Sequence, residues 1–357
     1  MLPVFTHNSL MNKITVSFLL AAGLIGPTSA ISCGFHNYAP QPTLVDRLLG
    51  SEEIVLARSA PHNPFRFEAI EALEGHLESA EIPFLVDSVT RRRFATDANT
   101  AVLFARDGAY GPWQRLALVD ATMDPVLRAI MEQIPAWEIG SEIDRFRYFA
   151  PLLNHPDDRI HKMALREMDQ ADYSILHNLD LRIEPWRLLE RLNEPNESEY
   201  RAIRILLLGL SSDAQLRDRL EQGVETSFRS EGVHLGAYAT ALIELVGPDA
   251  VGFLAANYLT NPTHSLLSRE LLIEAVSLHG GTDNAELETS ILQAINSSLW
   301  LDPRLAGAAA RQFGARGNWS LEPALKTLLE EGTVLEMADR QDASQYVAFA
   351  QEAATQP

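Results

Sequence analysis

Between residues 50 and 120 the apolar positions recur at a short period, and from residue 141 they recur at a helical one. Glu53-Ile54-Val55-Leu56-Ala57 is a short apolar run, and Phe65-Arg66-Phe67-Glu68-Ala69-Ile70 alternates apolar with polar, the pattern of a half-buried strand. Ile82-Pro83-Phe84-Leu85-Val86, Thr100-Ala101-Val102-Leu103-Phe104-Ala105 and Trp113-Gln114-Arg115-Leu116-Ala117-Leu118-Val119 bring the predicted strands to five. Gly108, Gly111 and Pro112 mark a hairpin turn between the last two. Five short strands within about 70 residues predict a small antiparallel barrel or sheet. One helix is predicted before it, near Thr43 to Leu49, and another after it. In the second, Asp124 is placed as the cap, Pro125 suits the first turn, and Val126, Ile130, Met131 and Ile134 form an apolar stripe.

Beyond Trp137-Glu138-Ile139-Gly140, read as the seam between the halves, the chain repeats one order: helix, short turn bearing Pro or Asp, helix. Phe149 to Leu153 runs through Asn154-His155-Pro156-Asp157-Asp158 into Arg159 to Met168. The same order recurs in Trp186 to Leu192 with Tyr200 to Leu210, in Ala250 to Leu259 with Leu266 to Leu278, and in Leu287 to Leu299 with Leu305 to Phe313. The turn prolines 156, 195, 262 and 303 are 39, 67 and 41 residues apart. The middle interval fits two units of about 33, and Gln215 to Gly223 with His234 to Val246 supplies the extra pair. Gly209, Gly247 and Gly280 stand where C-terminal caps are expected. Leu321 to Glu331 and Ala343 to Ala353 read as an acidic capping unit. One helical hairpin per 30 to 45 residues is the period of an α-solenoid.

The turn Pro156-Asp157-Asp158 before the basic, alanine-bearing helix Arg159 to Met168 resembles a HEAT repeat. Cys33, the run Glu53 to Ala57, the strand Phe65 to Leu73 closing with Glu74-Gly75, and Thr100 to Ala105 resemble the netrin/tissue-inhibitor-of-metalloproteinase type of OB-fold over roughly residues 33 to 135. Together these resemblances imply an α+β multidomain chain. An OB-like β-barrel with flanking helices would span 33–140, and a HEAT-like α-solenoid 141–357. In the inhibitor family an N-terminal cysteine, held by disulfides, places its amino group and carbonyl on a protease zinc. Here Cys33 is the only cysteine, so the resemblance extends to the fold and not to the inhibitory activity.

Met11 to Cys33 reads as an export signal, with the signal peptide at 11–30. Lys13 is the basic start, Ile14 to Gly26 the apolar stretch, and Thr28-Ser29-Ala30 the small residues that signal peptidase needs. About 13 apolar residues are too few for a permanent span, which takes roughly 20. Ala30-Ile31-Ser32-Cys33 resembles the lipobox of bacterial lipoproteins, with Ala where Leu is usual. Lipidation at Cys33 and simple cleavage after Ala30 both remain open. The chain is thus expected to be periplasmic or secreted, touching a membrane only through lipid on Cys33.

The 48 acidic against 29 basic residues, a net charge of −19, repel nucleic acid. Arg91-Arg92-Arg93, the one basic cluster, is read as part of a polar loop. No H-E-x-x-H helix, phosphate-binding loop, dinucleotide fingerprint or nucleophile elbow occurs in the sequence. Ser211-Ser212-Asp213 is read as a helix cap. His155 and His161 are read as a turn and a helix residue, and Cys33 with His36 as half a metal site. Asp157-Asp158, Glu52-Glu53 and Glu330-Glu331 are read as solvated or capping pairs, and Trp113, Trp186, Trp300 and Trp319 as core packing. No catalytic, cofactor or metal residues are therefore assigned.

The expectation is an exported interaction or scaffold protein of the cell envelope, binding another protein through its helical-repeat surface; its oligomeric state is left open. A metalloprotease-inhibitor-like binder acting through the OB-like domain is the alternative, and an unrecognised hydrolase is third. Mass spectrometry of protein purified from its native host should show a mature N-terminus lacking residues 11–30. An intact Met1 or Met11 contradicts export.

Overall fold

The computed structural model describes residues 40–355 except 78, 79, 109, 231 and 283, so the expected signal peptide, Cys33 and His36 lie outside the described residues. Strands β1 (Glu53–Ala60), β2 (Asn63–Glu74), β3 (Ala101–Arg106) and β4 (Gln114–Val119) pair antiparallel in the order β2-β1-β3-β4. The central strands explain their own composition. Ile54, Leu56, Leu103 and Ala105 enter one buried apolar cluster, while Val55, Ala57, Val102 and Phe104 enter another. A strand covered on both faces has to be apolar at successive positions, which is why these two runs do not alternate. Helices α1 (Leu44–Leu49) and α3 (Asp124–Glu138) contribute Val45, Leu48, Leu127 and Ile130 to the first cluster. Helix α2 (Ser88–Thr96) and the segment 82–86 contribute Phe94, Ile82 and Val86 to the second.

Several expectations are corrected here. The run 82–86 is not a fifth strand: Leu85 makes one isolated bridge to Arg66, and Pro83 has no N–H to give a ladder. The described strands therefore form an open sheet and do not close into the expected barrel. Arg91-Arg92-Arg93 lies on α2, not in a loop, and Asp87 caps that helix by accepting the Val89 and Thr90 N–H groups, both at 2.9 Å. Three successive arginines hid the buried pair Thr90 and Phe94 on its inner face. Asp124 is the first residue of α3 and not its cap; the Asp120 carboxylate accepts the Thr122 and Met123 N–H groups.

The helical part comprises α4 (Glu142–Phe149), α5 (Asp158–Met168), α6 (Tyr173–Asn178), α7 (Pro185–Glu190), α8 (Arg201–Leu210) and α9 (Arg217–Arg229). It continues with α10 (Leu235–Val246), α11 (Pro248–Leu254), α12 (Leu266–Ser277) and α13 (Ala285–Leu301), then α14 (Ala306–Gly314), α15 (Glu322–Glu330) and α16 (Met337–Thr355). The protein is thus α+β. Alternate helices pack on one another: α8 on α10, α10 on α12, α12 on α14 and α14 on α16, with α11 on α13 alongside. Gly209 belongs to this packing and is not a cap. A Cβ there would come within 2.5 Å of the Ala241 Cα, so only glycine lets α8 and α10 cross this closely. Gly247, with φ of +71°, does cap α10.

The seam near residue 140 is crossed by both apolar and charged contacts. Trp137 packs against Tyr148 and Phe149 at ring-centre distances of 5.9 and 6.2 Å. Glu167 on α5 is wholly buried, and burial pushes its carboxyl up while Arg145 opposes that shift. Arg145 Nε and Nη2 donate to Glu167 Oε2 at 3.0 and 2.6 Å, and Nη2 also reaches Thr43 Oγ1 at 2.8 Å and Asp46 Oδ1 at 2.7 Å. Thr43 and Asp46 form the capping box of α1. One guanidinium therefore ties the chain ahead of the sheet to two helices that follow it.

Removing one partner of such a pair strands a buried charge, at a cost of about 3–5 kcal/mol. Arg145→Leu should lose that much in urea unfolding, whereas Arg145→Met with Glu167→Leu, which leaves no stranded charge, should lose much less. Equal losses would show that the pair acts only by filling space.

Candidate functional site

Helix α9 sets Glu221 and Gln222 three and four residues after Asp218, and Glu225 four and three residues after them, and so on one helical face. Leu220, Val224 and Ser227 are its buried residues, which holds the acidic face outward. Opposite it, α11 passes into a π-helical turn at Ala255–Leu259. The Thr260 N–H and hydroxyl both donate to Ala255 O, at 3.2 and 2.9 Å, and Asn257 Nδ2 donates to Phe253 O at 2.8 Å. Such turns carry one residue more than an α-helical turn and redirect the side chains they hold. Here Asn257 and Tyr258 are turned towards α9.

The result is an open groove of about 810 Å³ with an aromatic wall and an acidic rim. The Phe228 and Tyr258 rings lie 4.6 Å apart, and His264 stands 5.0 Å from Phe228. His264 is fixed by Asn261 Nδ2 at 3.2 Å and Tyr258 O at 3.3 Å. On the rim, Glu221 accepts Arg217 Nε at 2.9 Å and Glu225 pairs with Arg229 at 3.3 Å. Three carboxylates and one guanidinium line the groove. Burial, then Glu225 and Glu221, push the Tyr258 hydroxyl up, with Arg229 opposing.

A second cluster joins α6, α10 and the end of α12. The Tyr173 hydroxyl donates to Glu244, and His279 Nδ1 lies 3.3 Å from the same hydroxyl and 3.9 Å from Glu244. His177 Nδ1 lies 3.0 Å from Glu244 on the solvent side. Burial pushes Tyr173 well above the usual phenol range and takes His279 down to about 3. A phenol held neutral in this way is a hydrogen-bonding strut rather than a base, so the cluster braces three helices.

The residues weighed from sequence are dispersed. His161 is buried with Nδ1 2.6 Å from Leu153 O, while His155 Nδ1 accepts the Asp157 N–H at 3.1 Å, and the two imidazoles serve separate turns. Asp213 caps the 3-10 turn that follows it, and Ser211 donates to Leu208 O. Asp157 caps α5, and the Arg159 hydrogen bond holds its carboxyl down at about 2. Asp158 pairs with Lys162 and Arg191, and Glu53 with Arg106. Glu330 ends α15 and Glu331 is its C-cap. Trp113 is buried and Trp319 packs on Tyr346, but Trp186 and Trp300 are 63% and 50% exposed, contrary to the core role expected of them. Among the described residues no group of three or more His, Cys, Asp or Glu is placed to hold a metal. Neither the groove nor the tyrosine cluster was singled out in the sequence, although the 218–221–222–225 spacing was legible there.

No family model, no curated protein and no solved structure matches this chain.

His279 gives stability a pH signature. Its folded value, about 3, lies below the unfolded 6.5, so between these the unfolded chain binds a proton that the folded chain refuses. Stability should therefore fall as pH drops from 6.5. His279→Asn should flatten that fall by up to about 1.4 kcal/mol per pH unit. Superimposable melting-temperature profiles of the two proteins would show that the imidazole does not titrate on unfolding.

Proposed function

We propose that this is an exported, non-catalytic interaction protein of the bacterial cell envelope. In this reading its helical hairpins stack as a HEAT-like α-solenoid that binds another protein on its surface, with lipid on Cys33 as its one means of membrane attachment. The order of helix packing supports the stacking, since alternate helices form a row from α8 to α16. So do the ion pairs between neighbouring hairpins: Arg269 on α12 donates to Asp302 beyond α13, and Arg191 beyond α7 donates to Asp158 on α5. Solenoid units present one strip each to an extended binding surface. The sheet, seated on α1 and α3, caps the first hairpin. No described helix is long and apolar enough to cross a membrane.

The observation that carries the binding role is the aromatic-walled groove beside α9. Its volume lies in the range of ligand sites, and Phe and Tyr, which line it, are enriched at protein interfaces. A photo-crosslinking amino acid at Gln222, in the groove, should trap one discrete protein adduct in the native host. The same amino acid at Glu352, exposed on α16, should not, and Phe228→Ala should abolish the Gln222 adduct. No adduct at Gln222, or equal trapping at both positions, overturns the proposal.

A further inference from the structure

We infer that the corner where α8, α9 and α10 meet binds a phosphate group, free or as a small monoester, between the Arg201 and Arg219 guanidiniums and the Tyr238 hydroxyl. The corner lies off the acidic face of α9, and the inference does not depend on the groove. Close packing brings its members together. The Tyr238 ring lies against the backbone of α9 at Gly223, where a Cβ would stand 2.2 Å from its Cε1. Arg219 precedes Gly223 by four residues and shares its face of α9. His234 precedes Tyr238 by four residues, one turn earlier on α10. Arg201 opens α8, which packs along α10 with Gly209 against Ala241. Because α9 returns the chain between them, α8 and α10 run the same way. Eight residues back from that contact, roughly 12 Å along both helices, Arg201 comes level with Val233 and His234. The Arg201 charge accordingly acts on both His234 and Tyr238, and that of Arg219 on Tyr238.

These groups keep donors that the fold does not take up. Arg201 Nε donates to Leu192 O at 2.9 Å, and neither Nη group has a partner among the described residues. Arg219 is exposed and likewise has no partner among them. His234 is the N-cap of α10, with φ of +60°, yet its side chain makes no capping bond. Tyr238 is only partly buried, and its hydroxyl is unbonded but within reach of solvent. Burial pushes that phenol up, with both arginines opposing, so it stays a neutral donor. No carboxylate among the described residues joins the two guanidiniums in acting on it, although the chain carries −19.

Charge and shape narrow the ligand. Two guanidiniums repel a cation, and an apolar group would leave every donor unmatched. The donors come from three helices and therefore from several directions. A planar carboxylate offers its oxygens in one plane, whereas a tetrahedral phosphate offers them all round. Its charge of nearly −2 also balances two arginines, whose Nη pairs suit phosphate oxygens. The net charge of the chain keeps an anionic membrane away, which leaves a small soluble phosphate.

The test is isothermal titration calorimetry of the full chain with inorganic phosphate, glycerol 3-phosphate or acetate, all at one ionic strength. Inorganic phosphate should bind saturably, one per chain, and acetate at least about tenfold more weakly. Tyr238→Phe keeps the ring on Gly223 and removes the hydroxyl, while Arg219→Gln alters an exposed side chain. Each should weaken phosphate about three- to tenfold, and a thermal melt identifies any variant that has not folded. Arg182→Gln removes the same charge from an 89% exposed side chain elsewhere and should change nothing. Saturable binding of the monoester alone would support the site and assign it to an esterified phosphate. Binding of neither phosphate, acetate equal to phosphate, or equal weakening by Arg182→Gln would each overturn the inference.

Discussion

Glu167 is the constraint around which the first half of the structure is arranged. A carboxylate with no access to water needs a counter-charge, and Arg145 supplies it from the neighbouring helix α4. Arg145 in turn reaches the capping box of α1, nearly a hundred residues earlier in the chain. The pair joins α4 to α5, and the further bonds of Arg145 to Thr43 and Asp46 couple α1 to the start of the helical array. Trp137 against Tyr148 and Phe149 reinforces the joint with apolar contact. The buried apolar cluster accordingly runs without interruption from Val45 to Tyr346.

Farther along, the constraint becomes close approach. Gly209 lets α8 lie against Ala241 of α10, and each alternate helix then packs on the next. Tyr173, Glu244 and His279 fasten this row sideways, with burial keeping both the phenol and the imidazole neutral. Helices such as α9 are thereby free to keep polar residues on their outer faces. The groove is a consequence of this order: α9 offers carboxylates outward, and the π turn after α11 swings Tyr258 round to meet them.

Function follows from such a site and not from the architecture, because unrelated activities share the same folds. A net charge of −19 repels polyanions and attracts cations. The groove places aromatic surface beside carboxylates.

Much of the fold was legible in the chain because it depends on local rules. The apolar runs at 54–57 and 101–105, the alternation of β2, the helix near Thr43 to Leu49, the caps Asp157 and Asp213, and the helices flanking Pro262 and Pro303 all follow from the period of burial and from backbone groups needing partners nearby. Some misreadings were local, such as α2 with its cap Asp87, and others depended on distant neighbours. Whether 82–86 completes a sheet is decided by what lies beside β2, and whether Gly209 caps or packs is decided by α10. The site lies further still from local reach. Tyr173 finds Glu244 and His279 across 71 and 106 residues, and the acidic face of α9 acquires meaning only opposite Phe253 and Tyr258. Sequence by itself determined most of the segments that are strand or helix, though not 82–86 or α2, since period and capping are local. Tertiary structure alone decided which exposed faces meet, because that depends on how buried surfaces far apart in the chain pack together.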